Sequence, residues 1–370
     1  MRFASACIDI SAATALALPD SLRRTRLWPL GYTAYVTPQS ERLAAIVERF
    51  ARQRVLVIGD VMLDEFVWGK VSRVSPEAPV PVVEVTREGW YPGGAANVAR
   101  NLRDFAGAVH LMGLTGADAQ ADRLRQLLTK EGIGIDCLVP DPGRRTTVKT
   151  RIIARQQQVV RVDREQKSPP SPAQTDSALA CFERLLPDLD AVIVADYAKG
   201  FLEQDFADRV SQAVTRAGKI LTVDPTPKNP LRWSGATAIK PNRPEAFEFA
   251  AMPYADPAGV PSQDPALLKA AAALVAKWSP ATVLITLGEQ GMLVLEQNRP
   301  PIHMPTRAKE IFDVSGAGDT AIALFTLALA AGGSAADAAE IANHASGIAV
   351  GKLGTAPVTR RELLDSMADC

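Results

Sequence analysis

The stretch Asp313-Val-Ser-Gly-Ala-Gly-Asp-Thr320 is followed at once by an alanine-rich apolar segment, 321–331, and together they indicate a turn that opens a buried helix. The small residues Gly316, Ala317 and Gly318 allow backbone N–H groups to converge on one point, where the helix adds its positive dipole end. This pattern predicts an anion-binding turn. Asp319 lies at its edge, and we predict that its carboxylate accepts a proton from a hydroxyl group that attacks a phosphate.

The composition is that of a globular protein with a sizeable core. Of the 370 residues, 47% are hydrophobic, which permits one large α/β domain or two small ones. The 41 basic residues balance the 41 acidic ones, so no positive field attracts nucleic acid, and we expect no nucleic-acid partner. The longest apolar run, 321–331, is well short of the roughly 20 residues that cross a bilayer, and we expect no membrane partner.

Two features bear on where the protein resides. The 4 cysteines are scattered, without a CxxC pair, which is typical of the reducing cytosol and argues against a structural zinc site. Residues 1–39 combine several arginines with scattered Ser and Thr, and Asp9 interrupts their only apolar stretch. We therefore expect a cytoplasmic protein with one domain over 40–370. The first 39 residues are expected to form a poorly ordered extension, the alternative being a functional targeting segment.

Alternating strand and helix patterns predict an α/β fold. Residues 55–58 form a short, wholly apolar strand closed by Gly59, and strand and helix patterns alternate regularly from residue 191 onward. Repeated βα units predict a mainly parallel, doubly wound sheet in three layers, with helices on both faces. Two segments, about 66–90 and 144–164, are extended, and the first holds prolines that a central strand excludes. We predict that these segments form a small β-sheet lid over one end of the sheet.

Three motifs offer groups that bind a small molecule. Gly59-Asp-Val-Met-Leu-Asp64 follows a strand, so its carboxylates emerge at the sheet edge where α/β proteins bind ligands, and they suit polyol hydroxyls. Pro92-Gly-Gly-Ala-Ala-Asn97 lets the backbone approach a ligand closely and places the Asn97 amide beside it. Asp196-Tyr-Ala-Lys-Gly200 follows another strand. Ordinary caps, turns and a solvated loop lysine are the alternative interpretations of these motifs.

Two loops offer a nucleotide site. In Lys240-Pro-Asn-Arg-Pro-Glu245, proline on both sides fixes Asn242 relative to Glu245, and such a rigid pair suits a hydrated Mg²⁺ ion near phosphates. A helix start with Pro244 in its first turn is an alternative that is compatible with this role. Leu287-Gly-Glu-Gln-Gly291 is a turn that could also line a nucleotide cleft. The candidate nucleotide-binding residues are Asn242, Arg243, Pro244, Glu245, Thr286, Gly288 and Gly291.

The motifs, in this order, resemble those of the ribokinase family, also called the phosphofructokinase B-like sugar kinases. The chain has neither a GxxxxGK[ST] P-loop nor a GxGxxG after its first strand, which argues against a P-loop enzyme and a Rossmann dehydrogenase. The resemblance spans about residues 53–365 and implies a ribokinase-like fold that uses ATP and Mg²⁺.

This resemblance also implies roles for individual residues. It implies that Asp319 is the catalytic base and that Gly316, Ala317 and Gly318 form the anion hole for the transferred phosphoryl group. It further implies that Glu245 holds Mg²⁺ through water and that Asn343 contacts adenine. A K⁺ ion, which the family often binds, would have Asp313 and Ser315 among its ligands, with backbone carbonyls from 351–354.

A narrower set of motifs resembles the stand-alone D-glycero-β-D-manno-heptose-7-phosphate kinases of bacteria. These motifs include Ser75-Pro-Glu-Ala-Pro-Val-Pro81, Gln156-Gln-Gln158 and Asp196-Tyr-Ala-Lys-Gly200. The resemblance implies formation of a heptose 1,7-bisphosphate for ADP-heptose and lipopolysaccharide core synthesis, with a separate adenylyltransferase in the pathway. The runner-up is a kinase of another sugar phosphate, a nucleoside or a vitamin in the same family. A non-catalytic sugar or nucleotide sensor is a further alternative, which the intact Asp319 argues against.

A sugar phosphate carries a dianion, which requires cations in the acceptor site. Lys149, Arg151 and Arg155 alternate along a predicted strand, so they share a face and could converge on one anion, unless this face is simply solvated. The candidate acceptor-binding residues are Asp64, Gly93, Gly94, Asn97, Lys149, Arg151, Asp196 and Lys199. The apolar residues of the lid would be buried by the lid of a second subunit, so we predict a homodimer. The residues concerned are Val80, Val82, Val85 and Ile152.

Overall fold

The computed structural model describes residues 37–155, 157–352 and 354–368. The predicted N-terminal extension, 1–39, therefore lies almost wholly outside the described residues, as do Gln156 and Leu353. No helix in the described part of the chain combines the length and the apolarity needed to cross a lipid bilayer.

Strands and helices alternate along the described chain. The strands are Arg54–Gly59 (β1), Val61–Val74 (β2), Pro81–Gly94 (β3), Ala108–Gly116 (β4), Gly134–Asp141 (β5), Val148–Ala154 (β6), Gln157–Arg164 (β7), Ala191–Ala195 (β8), Ile220–Asp224 (β9), Ala238–Ile239 (β10), Thr282–Thr286 (β11), Met292–Glu296 (β12) and Ile302–Met304 (β13). The α-helices are Pro38–Glu48 (α1), Ala95–Leu102 (α2), Ala119–Lys130 (α3), Pro172–Leu185 (α4), Gln204–Arg216 (α5), Arg243–Phe249 (α6), Pro265–Trp278 (α7), Ala317–Ala330 (α8), Ala335–Val350 (α9) and Arg360–Ala368 (α10).

Nine strands form one large sheet in the order β13-β12-β11-β10-β9-β8-β1-β4-β5. All neighbours from β11 to β5 pair in parallel, whereas β12 and β13 are antiparallel at one edge. One apolar cluster packs α1, α2, α3, α8, α9 and α10 on one face, and a second packs α4, α5, α6 and α7 on the other. The predicted three-layer, mainly parallel α/β fold is confirmed.

Helix α8 is the central helix of its layer. Its residues 320–328 are all buried, and they include Leu324 and Phe325 with no exposed surface. A helix that is apolar all round must be enclosed by protein, which explains why the segment after Thr320 has no polar face. Enclosure fixes the N-terminus of α8, and with it the glycine-rich turn, against the sheet edge.

The small lid is a separate sheet of four strands in the order β3-β2-β6-β7. Strands β2 and β3 form a long hairpin, and β6 joins β2 in parallel with Asp64 opposite Lys149 and Phe66 opposite Arg151. Several lid valines are exposed in the single chain, from 40% at Val162 to 66% at Val74. The two predicted lid segments thus come together, and part of their apolar surface faces solvent.

Cys137 of β5 and Cys181 of α4 form a disulfide. The two residues are 44 positions apart, so their spacing gave no sequence signal for the pairing. Only the packing of α4 against β5 brings them together. The expectation of unpaired cysteines, as is typical of the reducing cytosol, is therefore wrong for this pair.

The burial of α8 leads to a stability prediction. We expect Leu324→Ala to lower the free energy of unfolding by about 2–5 kcal/mol, because it leaves a cavity in a tightly packed layer. Leu329→Ala makes the same chemical change at a half-buried position of the same helix and should cost clearly less. Urea unfolding followed by circular dichroism measures both. Equal losses for the two variants would contradict the central position given to α8.

Candidate active site

The N-terminus of α8 forms the predicted anion cradle. Gly316 caps the helix with a φ of 81°, a left-handed conformation that glycine adopts without strain. Within the described residues, the N–H groups of Gly316, Gly318 and Asp319 donate to no protein acceptor, whereas that of Ala317 donates to the Val314 carbonyl at 3.3 Å. The cradle therefore has backbone donors available for an anion, although not from all three residues predicted.

Two groups from other elements hold the Asp319 carboxylate. Asn97 of α2 donates from Nδ2 to Oδ2 at 2.6 Å, and the Tyr197 hydroxyl donates to Oδ1 at 2.6 Å. Burial raises the pKa of Asp319, while these two hydrogen bonds and the nearby Lys240 ammonium act in the opposite direction. The Asn97 Oδ1 atom is buried without a partner in the described part of the chain. It is therefore ready to accept a hydrogen bond from a ligand hydroxyl next to Asp319.

The loop after β8 is held by the carboxylate of Asp60. Asp60 accepts hydrogen bonds from the backbone N–H groups of Tyr197, Lys199 and Phe201, at 2.9–3.2 Å. Asp196 accepts from the Ala198 N–H and from the Asn229 amide, and burial raises its pKa to about 7. Both carboxylates thus accept hydrogen bonds from within the protein. The sequence predicted instead that Asp60 contacts polyol hydroxyls and that Asp196 binds the acceptor.

A cavity of about 580 Å³ lies on one side of the cradle. The residues lining it include all the predicted nucleotide-binding positions, namely Asn242, Arg243, Pro244, Glu245, Thr286, Gly288, Gly291 and Asn343. Ala317 and Gly318 of the cradle also line it. The structure therefore joins the predicted nucleotide loops and the predicted anion hole in one continuous space.

Asn242 and Glu245 form a reciprocal capping box at the start of α6. The Asn242 side chain accepts from the Glu245 N–H, and the Glu245 carboxylate accepts from the Asn242 N–H, each at 2.9 Å. The sequence left open whether this segment is a helix start or a phosphate-side loop. It is a helix start, and it also lines the cavity, so the two interpretations are compatible.

Arg243 has a structural partner. Its buried guanidinium pairs with Asp264 at 2.7 Å and donates to the carbonyls of Ala255 and Asp256. These contacts anchor the loop between α6 and α7, which brings Tyr254 to the cavity wall. Arg243 thus anchors this loop through Nε and Nη2, whereas its Nη1 is buried without a partner in the described part of the chain. Its assignment to nucleotide binding stays a prediction.

A buried ion pair lies where the cavity meets the cradle. Lys240 Nζ is 3.0 Å from Asp224 Oδ2, and both residues line the cavity. A Cβ atom built on Gly318 would be 3.5 Å from Lys240 Nζ, so the ammonium lies directly beside the cradle. Burial raises the pKa of Asp224 to about 7, although the Lys240 ammonium acts against this shift. The site therefore holds one fixed positive charge next to its backbone donors.

Cations of the lid and of the loop after β8 gather on the other side of Asp319. Arg151 pairs with the buried Asp64 carboxylate, and a Cβ on Gly93 would overlap that carboxylate. Burial lowers the pKa of Lys149, and the charges of Lys199 and Arg151 lower it further while Asp64 raises it. Lys199 itself pairs with a carboxylate, that of Glu165 at 2.5 Å. Lys149, Arg151 and Lys199 thus face one region.

Arg155 does not join these cations, so its predicted convergence is wrong. It lies beyond the end of β6 with a φ of 59°, in the turn to β7, and its side chain is exposed. A register irregularity between Ile152 and Ile153 precedes the turn. The alternation of side chains that carries Lys149 and Arg151 inward ends before residue 155.

Asp313 connects two loops. Its carboxylate accepts from the N–H groups of Ser315 at 2.8 Å and Gly354 at 3.1 Å. The Ser315 side chain is exposed.

On α9, Asn343 reaches the cavity and donates to the Pro305 carbonyl at 2.6 Å. The neighbouring His344 is buried beside Ser366 and Glu340 and does not line the cavity.

Tyr197, Lys240 and Asp224 are site residues that the sequence pattern did not assign. Tyr197 and Lys240 stand inside quoted motifs, but nothing local indicates that their side chains meet Asp319 or the cradle. Asp224 ends β9, a strand with no motif after it. Their location just after predicted strands could have indicated them, because the carboxyl ends of adjacent parallel strands meet at one edge of a sheet.

Comparison with known sequences identifies a family of carbohydrate kinases. The profile of the pfkB family carbohydrate kinases matches residues 52–361. The "Bifunctional protein HldE" of Caulobacter vibrioides is 46% identical over 324 residues, covering 87% of this chain and 65% of that protein. The protein of the same name from Nitrosococcus oceani is 43% identical over 318 residues, covering 86% and 64%. The chain thus spans just under two thirds of the length of these relatives.

Solved structures share the fold at low identity. A ribokinase from Arabidopsis thaliana, complexed with ribose and ATP, superimposes with a TM-score of 0.66 at 18% identity, covering 85% of this chain and 99% of that one. Phosphofructokinase-2 from Escherichia coli, in complex with potassium, gives 0.69 at 18% identity, with 86% and 98% covered. At this level of identity the likeness concerns the fold alone.

The Arg243–Asp264 pair yields a prediction about the cavity wall. Removing one partner of a buried pair leaves an uncompensated charge, so Arg243→Gln should lower the free energy of unfolding by about 3–5 kcal/mol. Arg299→Gln removes an ion pair whose arginine is 64% exposed, and it should cost less than about 1 kcal/mol. Chemical denaturation compares the two variants. A loss for Arg243→Gln as small as that for Arg299→Gln would show that this pair does not anchor the loop.

Proposed function

The chain belongs to the pfkB family of carbohydrate kinases, and we propose that it transfers the γ-phosphoryl group of ATP to the anomeric hydroxyl of D-glycero-β-D-manno-heptose 7-phosphate. The product would be the 1,7-bisphosphate, for ADP-heptose and lipopolysaccharide core synthesis. The observation that carries this proposal is the placement of Asp319. Its carboxylate lies at the backbone cradle, with a nucleotide-sized cavity on one side and a cluster of lid cations on the other.

Asp319 is the proposed general base. Its carboxylate takes the proton of the anomeric hydroxyl as that oxygen forms a bond to the γ-phosphorus. The bond between the γ-phosphorus and the bridging oxygen breaks, and ADP leaves with the electron pair. Asn97 contributes an unpartnered Oδ1 beside Asp319, which suits a neighbouring sugar hydroxyl. Binding the sugar there would place the attacking oxygen between base and phosphate.

Charge on the transferred group is balanced by fixed donors. The free N–H groups at the start of α8 and the Lys240 ammonium surround the point where the equatorial phosphoryl oxygens would lie. The carboxylates of Asp224 and Glu245 line the same cavity and provide the oxygen donors that a hydrated Mg²⁺ prefers. When bound, the ion would neutralise part of the charge of the triphosphate. Glu245, through water, is the proposed ligand, and Asn242 is its neighbour on the phosphate side.

Part of the cavity wall suits a nucleobase. Tyr254 and Ile311 are exposed apolar side chains of this wall, with exposures of 53% and 61%. Covering such surface with an aromatic base removes it from water, which favours binding. Asn343 also lines the cavity and supplies an amide for the proposed contact with the base. We therefore assign this part of the wall to the adenine of ATP.

Two further parts of the proposal remain predictions. A K⁺ ion beside the cradle would involve Asp313 and Ser315, although the Asp313 carboxylate already accepts two backbone hydrogen bonds. A homodimer through the lid would cover its exposed valines, which are Val74, Val80, Val85, Val159, Val160 and Val162.

The proposal is tested by measuring ADP release with ATP, Mg²⁺ and a panel of sugar phosphates. We expect turnover with the heptose 7-phosphate. Asp319→Asn should lower kcat by roughly a hundred- to ten-thousandfold, because the base is lost. Asp104→Asn, at an exposed position, is the matched control and should keep full activity. Full turnover by Asp319→Asn would refute the mechanism, and turnover only with another acceptor would refute the substrate.

Lys149 of the lid and Lys199 of the loop after β8 distinguish a phosphorylated acceptor from a neutral one. Each charge-assisted hydrogen bond contributes about 1.5–3 kcal/mol, so Lys149→Met and Lys199→Met should each raise KM for the sugar phosphate by roughly ten- to hundredfold. KM for ATP should not change. Lys70→Met removes an exposed lysine of the same lid and serves as the control. An unchanged acceptor KM would favour the alternative, a nucleoside or vitamin kinase of this family.

A further inference from the structure

The two oxygens of Asp319 are held by donors from two different parts of the chain. Asn97 donates to Oδ2 and Tyr197 to Oδ1, both at 2.6 Å. An ionised carboxylate has about four acceptor sites, so each oxygen keeps a lone pair free after these bonds form. The two bonds fix the plane of the carboxylate and therefore the direction of the remaining lone pairs.

The backbone and the ring of Tyr197 are themselves held in place by other parts of the protein. The Asp60 carboxylate accepts from the Tyr197 and Lys199 backbone N–H groups at 3.0 and 2.9 Å. The tyrosine ring packs against the apolar cluster beneath α8. The hydroxyl of Tyr197 thus reaches Asp319 from a loop whose backbone is tied to the end of β1.

The charged groups around Asp319 affect its own ionisation and that of the Tyr197 hydroxyl. Lys240 favours the ionised carboxylate, whereas Asp64 and Asp224 disfavour it. Burial and the Asp319 carboxylate raise the pKa of the Tyr197 hydroxyl well above its ordinary value. The phenol therefore stays protonated, and towards the ionised Asp319 carboxylate it acts as the donor.

We propose that Tyr197 is a positioning residue, which holds Asp319 ionised and aims its free lone pairs at the acceptor hydroxyl. This inference rests on the proposed phosphoryl transfer, because it assumes that Asp319 is the base. Donation to the ionised form favours that form over the protonated one. Losing the bond should therefore raise the pKa of Asp319. As the solution is acidified, the loss of activity should then begin at a higher pH.

Tyr197→Phe removes only the hydroxyl and keeps the ring in its apolar contacts. Because a hydrogen bond to a charged group contributes about 1.5–3 kcal/mol, losing it should raise the pKa of Asp319 by about one to two units. We expect the acid limb of the kcat profile to move up in pH by about that amount. At the pH optimum kcat should fall roughly tenfold, while KM for ATP and for the sugar phosphate should stay within about twofold.

The matched control is Tyr91→Phe, since within the described residues the Tyr91 hydroxyl has no hydrogen-bond partner and its ring contacts Phe66. Its pH profile should coincide with that of the unmodified chain. If Tyr197 only stabilised the loop, Tyr197→Phe would lower the melting temperature without moving the acid limb. That outcome, or an unchanged profile, would overturn the inference.

A second measurement does not depend on turnover. Carbon-13 NMR of the full chain labelled at aspartate carboxyls, with Asp319→Asn to assign the signal, follows the ionisation of Asp319 directly. Tyr197→Phe should raise its midpoint by about one to two units. An unmoved midpoint would refute the inference. If the unmodified chain fails to phosphorylate any sugar phosphate, only the proposed function fails, and the NMR titration still decides what Tyr197 does to Asp319.

Discussion

A carboxylate at the start of a buried helix is the constraint on which the site depends. The first turn of α8 offers backbone N–H groups to an anion, and Asp319 adds a negative charge at the same point. The two are compatible only because other parts of the protein compensate. Lys240 supplies a positive charge, while Asn97 and Tyr197 donate to both carboxylate oxygens. Anion binding and proton acceptance can then coexist within one helical turn.

Much of this arrangement was predictable from short-range patterns. The glycine turn before an apolar helix, the prolines around Asn242 and the residues after the first strand each have a local physical signature. The side chains that those patterns missed act over long distances in sequence. Tyr197 meets Asp319 across 122 positions, and nothing near Tyr197 in the chain indicates it. Arg155 was misplaced for the opposite reason, because strand alternation was extended past the residue where β6 ends.

The site has two sides with different chemistry. The cavity side combines apolar walls with a capped helix start and a lysine–aspartate pair, as a nucleotide with its phosphates requires. The lid side is a four-stranded sheet that carries cations over a buried carboxylate. The large sheet supplies the residues of the first side and the lid supplies most of the second. Under the proposed function, acceptor preference would therefore vary with the lid while the phosphoryl-donor side stays unchanged.

The construction of the lid also has a consequence for how the chain folds. Its strands come from two separate segments, and β2 pairs in parallel with β6 although β4 and β5 of the large sheet lie between them in the chain. Closing such a long loop is entropically costly until the intervening strands are in place. The lid should therefore assemble late, on a large sheet that is already formed. The proposed base and the anion cradle belong to α8, which follows all the strands of both sheets in the described chain. They would therefore be synthesised only after every one of these strands.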